Sequence, residues 1–570
     1  MLPAAKSFLS RTLPRYSAAM AAGALLNTAY APRNLGFMVW VWMLPLLIAI
    51  WSGNGKKIRS GFLLGLIAGL TFYIPTLSWV RHSSRVIYGA MDDRWMGWPV
   101  ELLGWSAVLG LAGYLALYWG LWGAFAATIG RPRIGPDYLG SNGAMFSLSL
   151  ESLRSAFLNA AAWTGLEWLR GILLTGFPWN GLGVPMASQL SLIQSADLVG
   201  VTGLSFLPVF CVCIAYNTAL RFREEARTSR VRPHVDFFCA VGLVLLNFVY
   251  GFRILSSPAS KDTVPLHVLL VQQNIAQATK WSGKHTEEIY QGYGQLTRIF
   301  AERDAVHPPD LVIWPESALP LPFHDPNHIP FLNKLLASGE FSLLTGVDIL
   351  MPNEPAYTGA ALMRNSFENH QLYRKIQLVP FGEYLPLRSV PFVEKLLGGI
   401  LPGDFAAGTA TEPFTMEKPA DVQLIPLICF EDTFGRHARK FVNGDHPQLL
   451  VNCTNDGWFL RSEENEQHLA NALFRCIELR RPMARAANTG VSCFISSTGL
   501  VNREDRLTDR KSGSVFIKGC LRKEIRLEKN PPLTFYSKHG DLFSIVMLVI
   551  TSMVVTAKIP RRKRSAKAPV

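Results

Sequence analysis

Glu316, Lys375 and Cys429 supply a carboxylate, an ammonium and a thiol, in that chain order. Those are the components of an acyl-transfer site built on a cysteine nucleophile. A free thiol has a pKa near about 8.5, so only a few per cent is thiolate at neutral pH. A neighbouring base is therefore needed to take its proton. The three residues sit in LVIWPESALP, LYRKIQLVPFGEY and QLIPLICFEDTF, each at or beside a short apolar run of β character. Taken singly, each has a plainer reading: a helix-start carboxylate, a solvated strand lysine, a small buried hydrophobe. Taken together, they lie in segments rich in aromatics, Gly and Pro, which set a backbone rather than fill a surface.

The elements that would present them begin near residue 262. Strands are expected at 266–274, 311–315, 342–350, 359–365, 371–378, 423–429, 448–453 and 491–497. Helices are expected at about 284–304 and 330–338, and over 463–487 until it ends near Arg481–Pro482. Alternating strands and helices imply a layered α/β domain whose strand-end loops carry the chemistry.

The first half reads differently. Of 570 residues, 49% are apolar and only 17% charged, below the roughly 25% of soluble proteins. The deficit lies before about residue 255. Runs at about 17–32, 35–52, 61–80, 100–127, 155–175, 195–217, 237–255 and, beyond the α/β domain, 541–557 approach the roughly 20 apolar residues that span a bilayer. The first also resembles a signal peptide, although Pro32 after its small-x-small pattern favours a retained span. The expected organisation is a helical membrane bundle over 1–258, a domain over 262–538, and a final span with a basic tail over 541–570. The net charge of +14 clusters between apolar runs, which suits membrane topology and excludes a nucleic-acid partner. Lys6, Arg11, Arg15, Lys56, Lys57, Arg59, Arg131, Arg133, the arginines at 221–232 and the RRKR tail at 561–564 fall on one side. The positive-inside rule makes that side cytoplasmic, with both termini, and leaves 262–538 outside. Loop 81–96 dissents, with Arg81, Arg85 and Arg94. The eight cysteines show no paired or zinc-ligand spacing, and neither metal nor cofactor is expected.

WPESALP, YRKIQLVPFGEYLPL, ICFED, NCTNDGWF, EQHLANALFRCIELRRPMARAANTG and TFYSKHGD resemble blocks of the nitrilase superfamily, and of its membrane branch, the apolipoprotein N-acyltransferases. VQQNI with Lys280–Trp281, and EWLRG with GFPWNGLG in the membrane half, extend the resemblance along nearly the whole chain. It implies an α–β–β–α sandwich carrying a Glu–Lys–Cys triad, with Glu316 as general base, Lys375 stabilising thiolate and oxyanion, and Cys429 as nucleophile. It also implies an acyl chain taken from a membrane phospholipid and delivered to the N-terminal amine of a diacylated apolipoprotein at the bacterial inner membrane. Glu383 is implied as a supporting residue that holds Lys375 or a reacting group, rather than a turn carboxylate. Glu431 is implied as a supporting residue rather than a helix N-terminal charge. Trp281 and Trp458 read as lipid-facing walls or as core filling. Asn452, Asn455 and His468 read as scaffold, His468 alternatively as a head-group contact. Glu167 and Arg170, costly against lipid, are expected to pair inward or to sit near the outer interface. Phe430 stands where the family usually has Tyr, and RSEENEQHL lacks its Gly-Pro. Two rivals share these residues: a membrane-anchored nitrilase-like hydrolase, and a transporter or scaffold with an inactive outer domain.

Overall fold

The computed structural model describes residues 2–52, 58–88, 94–95, 98–133, 146–228, 233–258, 260–280, 283–302, 307–397 and 404–558. Trp281, Lys56, Lys57, Arg230, Arg232 and the 561–564 tail lie outside the described residues.

The first half is helical: α1 (Leu2–Asn27), α2 (Leu44–Trp51), α3 (Ile58–Thr76), α4 (Val100–Thr128), α5 (Ser147–Arg170), α6 (Ala196–Leu204), α7 (Phe206–Thr228) and α8 (Val235–Leu255). Small residues set how closely they pack. Gly61 and Gly65, one turn apart on α3, meet the α4 backbone; a Cβ on Gly61 would stand 2.3 Å from the Gly123 carbonyl oxygen. Such stripes let helices approach where lipid supplies no hydrophobic drive.

Among the described residues, α3, α4 and α8 are long and apolar enough to cross a membrane. The pair α6–α7, bent by 59°, makes a fourth if it is one span. The 35–52 run is a 3-10 turn, Gly36–Trp40, followed by the eight-residue α2, and the 541–557 run is a helix of 17 residues. On α8, Phe238 is 70% and Leu246 69% exposed, with Phe237, Leu245, Phe248 and Phe252 also open. An apolar face of that extent marks a membrane protein.

The α/β domain contains two sheets. The first orders β11 (Gly519–Glu528), β1 (Thr263–Gln272), β2 (Leu311–Ile313), β3 (Ser342–Ile349), β4 (Tyr357–Arg364) and β5 (Ser366–Arg374). The second orders β10 (Cys493–Ile495), β9 (Met483–Ala487), β8 (Gln448–Thr454), β7 (Gln423–Ile428) and β6 (Phe414–Thr415). The central strands β1–β2–β3 and β7–β8–β9 are parallel.

Alternation along β1 separates two apolar layers. Leu266, Val268 and Leu270 face the second sheet, in one cluster with Leu424, Leu427 and Val451. Leu269 and Val271 face outward, in another cluster with Ile289 and Tyr293 of α9 (Thr286–Glu302) and Leu332 and Leu335 of α10 (Ile329–Leu336). Burial on both faces is why these strands read as continuous apolar runs. The helix α11 (Glu464–Leu479) follows β8 in the second sheet and is almost wholly buried. It ends at Arg480, which takes the left-handed conformation at φ +53° just before Pro482. The chain closes with α12 (Leu542–Lys558), whose Leu548 backbone packs on Gly165 of α5.

The domain docks on one end of the bundle through polar contacts. The Gln467 side-chain oxygen accepts from Trp79 Nε1 at 3.2 Å, Trp179 Nε1 at 3.1 Å and Asn180 Nδ2 at 2.8 Å, while its amide donates to the Thr76 carbonyl. Arg480 pairs with Asp197 at 2.7 Å, and Arg436 donates to the Gly171 carbonyl at 2.9 Å. The opposite end carries arginines. Arg15 donates to the Ala49 carbonyl, Arg131 to the Trp51 carbonyl, and Arg221 binds Asp236 at 2.6 Å. Glu167 and Arg170 both point inward, but they do not form an ion pair with each other. Arg170 donates to Tyr73 Oη at 2.7 Å, and Glu167 accepts from Ser205, Trp163 and the Leu182 amide.

Candidate active site

Each of the three residues follows a strand at its carboxyl end: Glu316 just after β2, Lys375 directly after β5 and Cys429 directly after β7. The first two belong to one sheet and the third to the other, so the cleft opens where the two sheets end together. Lys375 lies between two carboxylates. Its Nζ is 3.4 Å from Glu316 Oε1 and 2.7 Å from Glu383 Oε1. Glu383 is anchored in turn, because its second oxygen accepts from the Val379 amide at 2.7 Å. Glu316 is 7% and Lys375 1% exposed. Glu316 Oε2 is buried with no hydrogen-bond partner among the described residues. That oxygen is available to receive a proton.

Cys429 begins the 3-10 turn Cys429–Thr433 with φ +49°. A β-branched or bulky residue rarely holds such a conformation, and it is strained for any residue with a Cβ. The turn lifts the sulfur off the sheet, and Cys429 is half-buried while its partners are covered. Asn452 Nδ2 fixes the Cys429 carbonyl at 3.2 Å.

Glu431 is fully buried and ties the lysine segment to the cysteine segment. Its Oε1 accepts from the amides of Ile376 (2.7 Å) and Gln377 (3.0 Å), and its Oε2 from the amide of Ile428 (2.9 Å). The Tyr373 hydroxyl adds a bond at 2.8 Å. A carboxylate binding several amides is held firmly.

The electrostatics suit a thiol that ionises only on demand. Burial pushes the Cys429 thiol well above its usual value; Glu316 pushes further, and Lys375 opposes both. Burial likewise raises Glu316, against the lowering effect of Lys375. For Lys375, burial works against the charge, but Glu383 and Glu316 outweigh it and the net shift is upward. The lysine is therefore a fixed cation, held by two carboxylates, whose charge is also felt by the Cys429 thiol.

Beneath the cysteine turn lies a buried charge network. His468 binds Asp432 at 3.0 Å and Asp456 at 3.1 Å, and Arg485 binds Asp432 at 2.9 Å and Asn452 Oδ1 at 2.7 Å. Asp456, Glu464 and His468 are close enough to share a cation, but the Arg485 guanidinium already stands 3.1 Å from His468 Nδ1 and fills that role. His468 is 1% exposed, so it is scaffold and its head-group alternative falls away. Asn455, which donates to Gln277 and accepts from Asn488 and the Gly457 amide, is scaffold as well.

Phe430, next to Cys429, meets Phe177 and Trp179 of the bundle with ring centroids 5.9 Å and 6.2 Å apart. Trp458 is half-buried in the turn Asp456–Phe459, and the neighbouring Phe459 packs on Trp79. Phe381, Leu387, Val390 and Phe392, in the segment that carries Glu383, are all exposed. Leu173 and Leu174 of the bundle are exposed as well, and the nearby Thr175 hydroxyl meets Tyr384 Oη of that segment at 2.7 Å. Lys280 and Asp348, both beside Glu316, were not singled out by residue type. Lys280 lay within a recognised block, and Asp348 lay inside an apolar strand.

Residues 22–214 match the family description "Apolipoprotein N-acyltransferase N-terminal domain", and residues 268–508 match "Carbon-nitrogen hydrolase". An apolipoprotein N-acyltransferase of Geobacter metallireducens is 33% identical over 97% of this chain and 96% of its own. The chain belongs to the apolipoprotein N-acyltransferase family. Another member, from Rhodopseudomonas palustris, is 30% identical over 94% of each chain. A solved carbon–nitrogen hydrolase from Helicobacter pylori superposes with TM-score 0.34 at 14% identity, covering 46% of this chain and 89% of that one. The sandwich found here is the nitrilase fold of the carbon–nitrogen hydrolases, with the family's helical half in front of it.

Proposed function

We propose that this protein transfers a fatty acyl chain from a membrane phospholipid, through a thioester on Cys429, to the N-terminal amine of a diacylated apolipoprotein. The observation that carries the reading is the Glu316–Lys375 pair acting on a half-buried thiol, in a domain docked on lipid-embedded helices. Glu316 takes the thiol proton as general base, a role worth roughly 10²–10⁴-fold. The sulfur attacks the ester carbonyl, and Lys375 with the Phe430 amide stabilises the oxyanion. The carbon–oxygen bond then breaks, the proton on Glu316 passes to the leaving alcohol, and a lysophospholipid departs. In the second half the amine attacks the thioester, Glu316 accepts the amine proton, and the sulfur leaves and is reprotonated. Glu383 holds Lys375 between the two events, and Glu431 fixes the two segments.

Taking a chain into water costs roughly 0.8 kcal/mol per CH₂, so a site reached from the bilayer avoids that cost. The exposed Phe381, Leu387, Phe392 and Leu174 support such a path. The arginines at the bundle end remote from the domain support an outer location for 262–538 and cytoplasmic termini, with 1–258 as the bundle and 541–570 as closing span and tail. Mass spectrometry of the intact protein incubated with phospholipid tests the reading. A single fatty-acyl adduct is expected on the wild type and none on Cys429→Ala. An adduct released only to water, with no transfer to a diacylated lipopeptide, would establish hydrolysis instead.

A further inference from the structure

Glu316 is gripped from a direction that the Glu–Lys–Cys arrangement does not use. Lys280 ends the short helical turn Gln277–Lys280 and is 2% exposed. Its Nζ donates to the backbone carbonyl of Glu316 at 2.9 Å, so a second ammonium adjoins the base. On the other flank, Asp348 at the end of β3 accepts from the Ser317 hydroxyl at 2.8 Å. Ser317 has φ +43°, and that bond pins the strained residue directly after the base. Gly346 closes the remaining side, since a Cβ there would stand 2.5 Å from Glu316 Cα. The Glu316 backbone is therefore held from three sides, and charged groups stand on two of them.

Lys375, Glu383, Lys280 and Asp348 act on Glu316, together with the Cys429 and Cys453 thiols. That makes three carboxylates against two ammoniums in a buried space. Lys375 is shared between Glu316 and Glu383, so Lys280 is the second cation set against burial and the two neighbouring anions.

We propose that Lys280 and Asp348 are opposed positioning residues that set the charge of Glu316, the cation favouring the carboxylate that accepts the thiol proton and the anion resisting it. Burial brings Lys280 down to about 8, with Asp348 and Glu316 pulling it back up, which leaves it charged through the neutral range. This deepens the proposed function, because it rests on Glu316 serving as the base toward Cys429.

The test follows alkylation of Cys429 by iodoacetamide in the full-length protein in lipid nanodiscs, read by peptide mass spectrometry across a pH series. The acidic limb reports ionisation of Glu316. Lys280→Met is expected to move that limb upward by about one pH unit and Asp348→Asn to move it downward. A merely structural role would lower the plateau in both variants and leave the limb in place. Limbs that stay put, or that move in the same direction, overturn the proposal. If Lys280→Met is not recovered folded, Asp348→Asn decides alone: a limb that moves down supports the proposal, and any other result overturns it. Because alkylation needs no acyl donor, the outcome is independent of whether phospholipid acylates Cys429.

Discussion

At the scale of single residues, Glu431 and Glu383 do different work although both support the same lysine. Glu383 touches the ammonium itself, whereas Glu431 touches backbone amides, the Tyr373 hydroxyl and the His437 ring. Glu431→Ala leaves those amides buried without an acceptor, at a cost of about 2–3 kcal/mol, and is expected to lower both the melting temperature and the acylation rate. Glu383→Gln removes a charge next to Lys375 and should slow acylation with little change in melting. Because burial raises Glu316 above the ordinary glutamate value, acylation is expected to fall as pH drops through a limb above about 4.5. A stopped-flow or quenched pH profile checks that. Residue type, chain order and the family resemblance nominated Glu316, Lys375 and Cys429, and the structure brings all three to the carboxyl ends of strands, with Lys375 against Glu316. Lys280 and Asp348 were not legible, since a lysine near a strand and an aspartate within one look the same whether they face solvent or a base.

At the scale of elements, the parallel strands were legible because burial on both faces leaves unbroken apolar runs. Met483–Ala487 was not, since MARAA has helical propensity and only its place between β8 and β10 makes it a strand. Gly519–Glu528 alternates charge with apolar residues at the sheet edge, and it is recognisable only once β1 is there to pair with it. Helix positions followed from apolar length, but α2 and the bend between α6 and α7 did not, because hydropathy averages over breaks. Close helix approach yields its own prediction. Gly61→Leu forces the new side chain onto the α4 backbone, 2.3 Å from its first carbon, and is expected to abolish recovery of monodisperse protein in size-exclusion chromatography.

At the scale of the whole molecule, Gln467 carries much of the polar docking between the two halves. Gln467→Ala leaves the indole donors of Trp79 and Trp179 and the amide of Asn180 without that acceptor. A loss of about 2–3 kcal/mol is expected, read as a lower melting temperature by tryptophan fluorescence. His468 ties stability to pH. Burial opposes its charge, but Asp432 and the bonds to both aspartates push it up to about 10. Its folded-state value exceeds the unfolded one, so its contribution is full below about 6.5 and drains away as pH rises through about 10. Melting temperature should decline over that window, and His468→Gln should flatten the decline. The pairing of β11 with β1 along their whole lengths has a consequence for biogenesis. The opening strand of the sheet stays without its edge partner until nearly the entire domain has been synthesised. The sandwich therefore matures only once synthesis of the domain is almost finished, and a ribosome that stalls before Gly519 leaves a tethered, open-edged intermediate suited to proteolytic clearance.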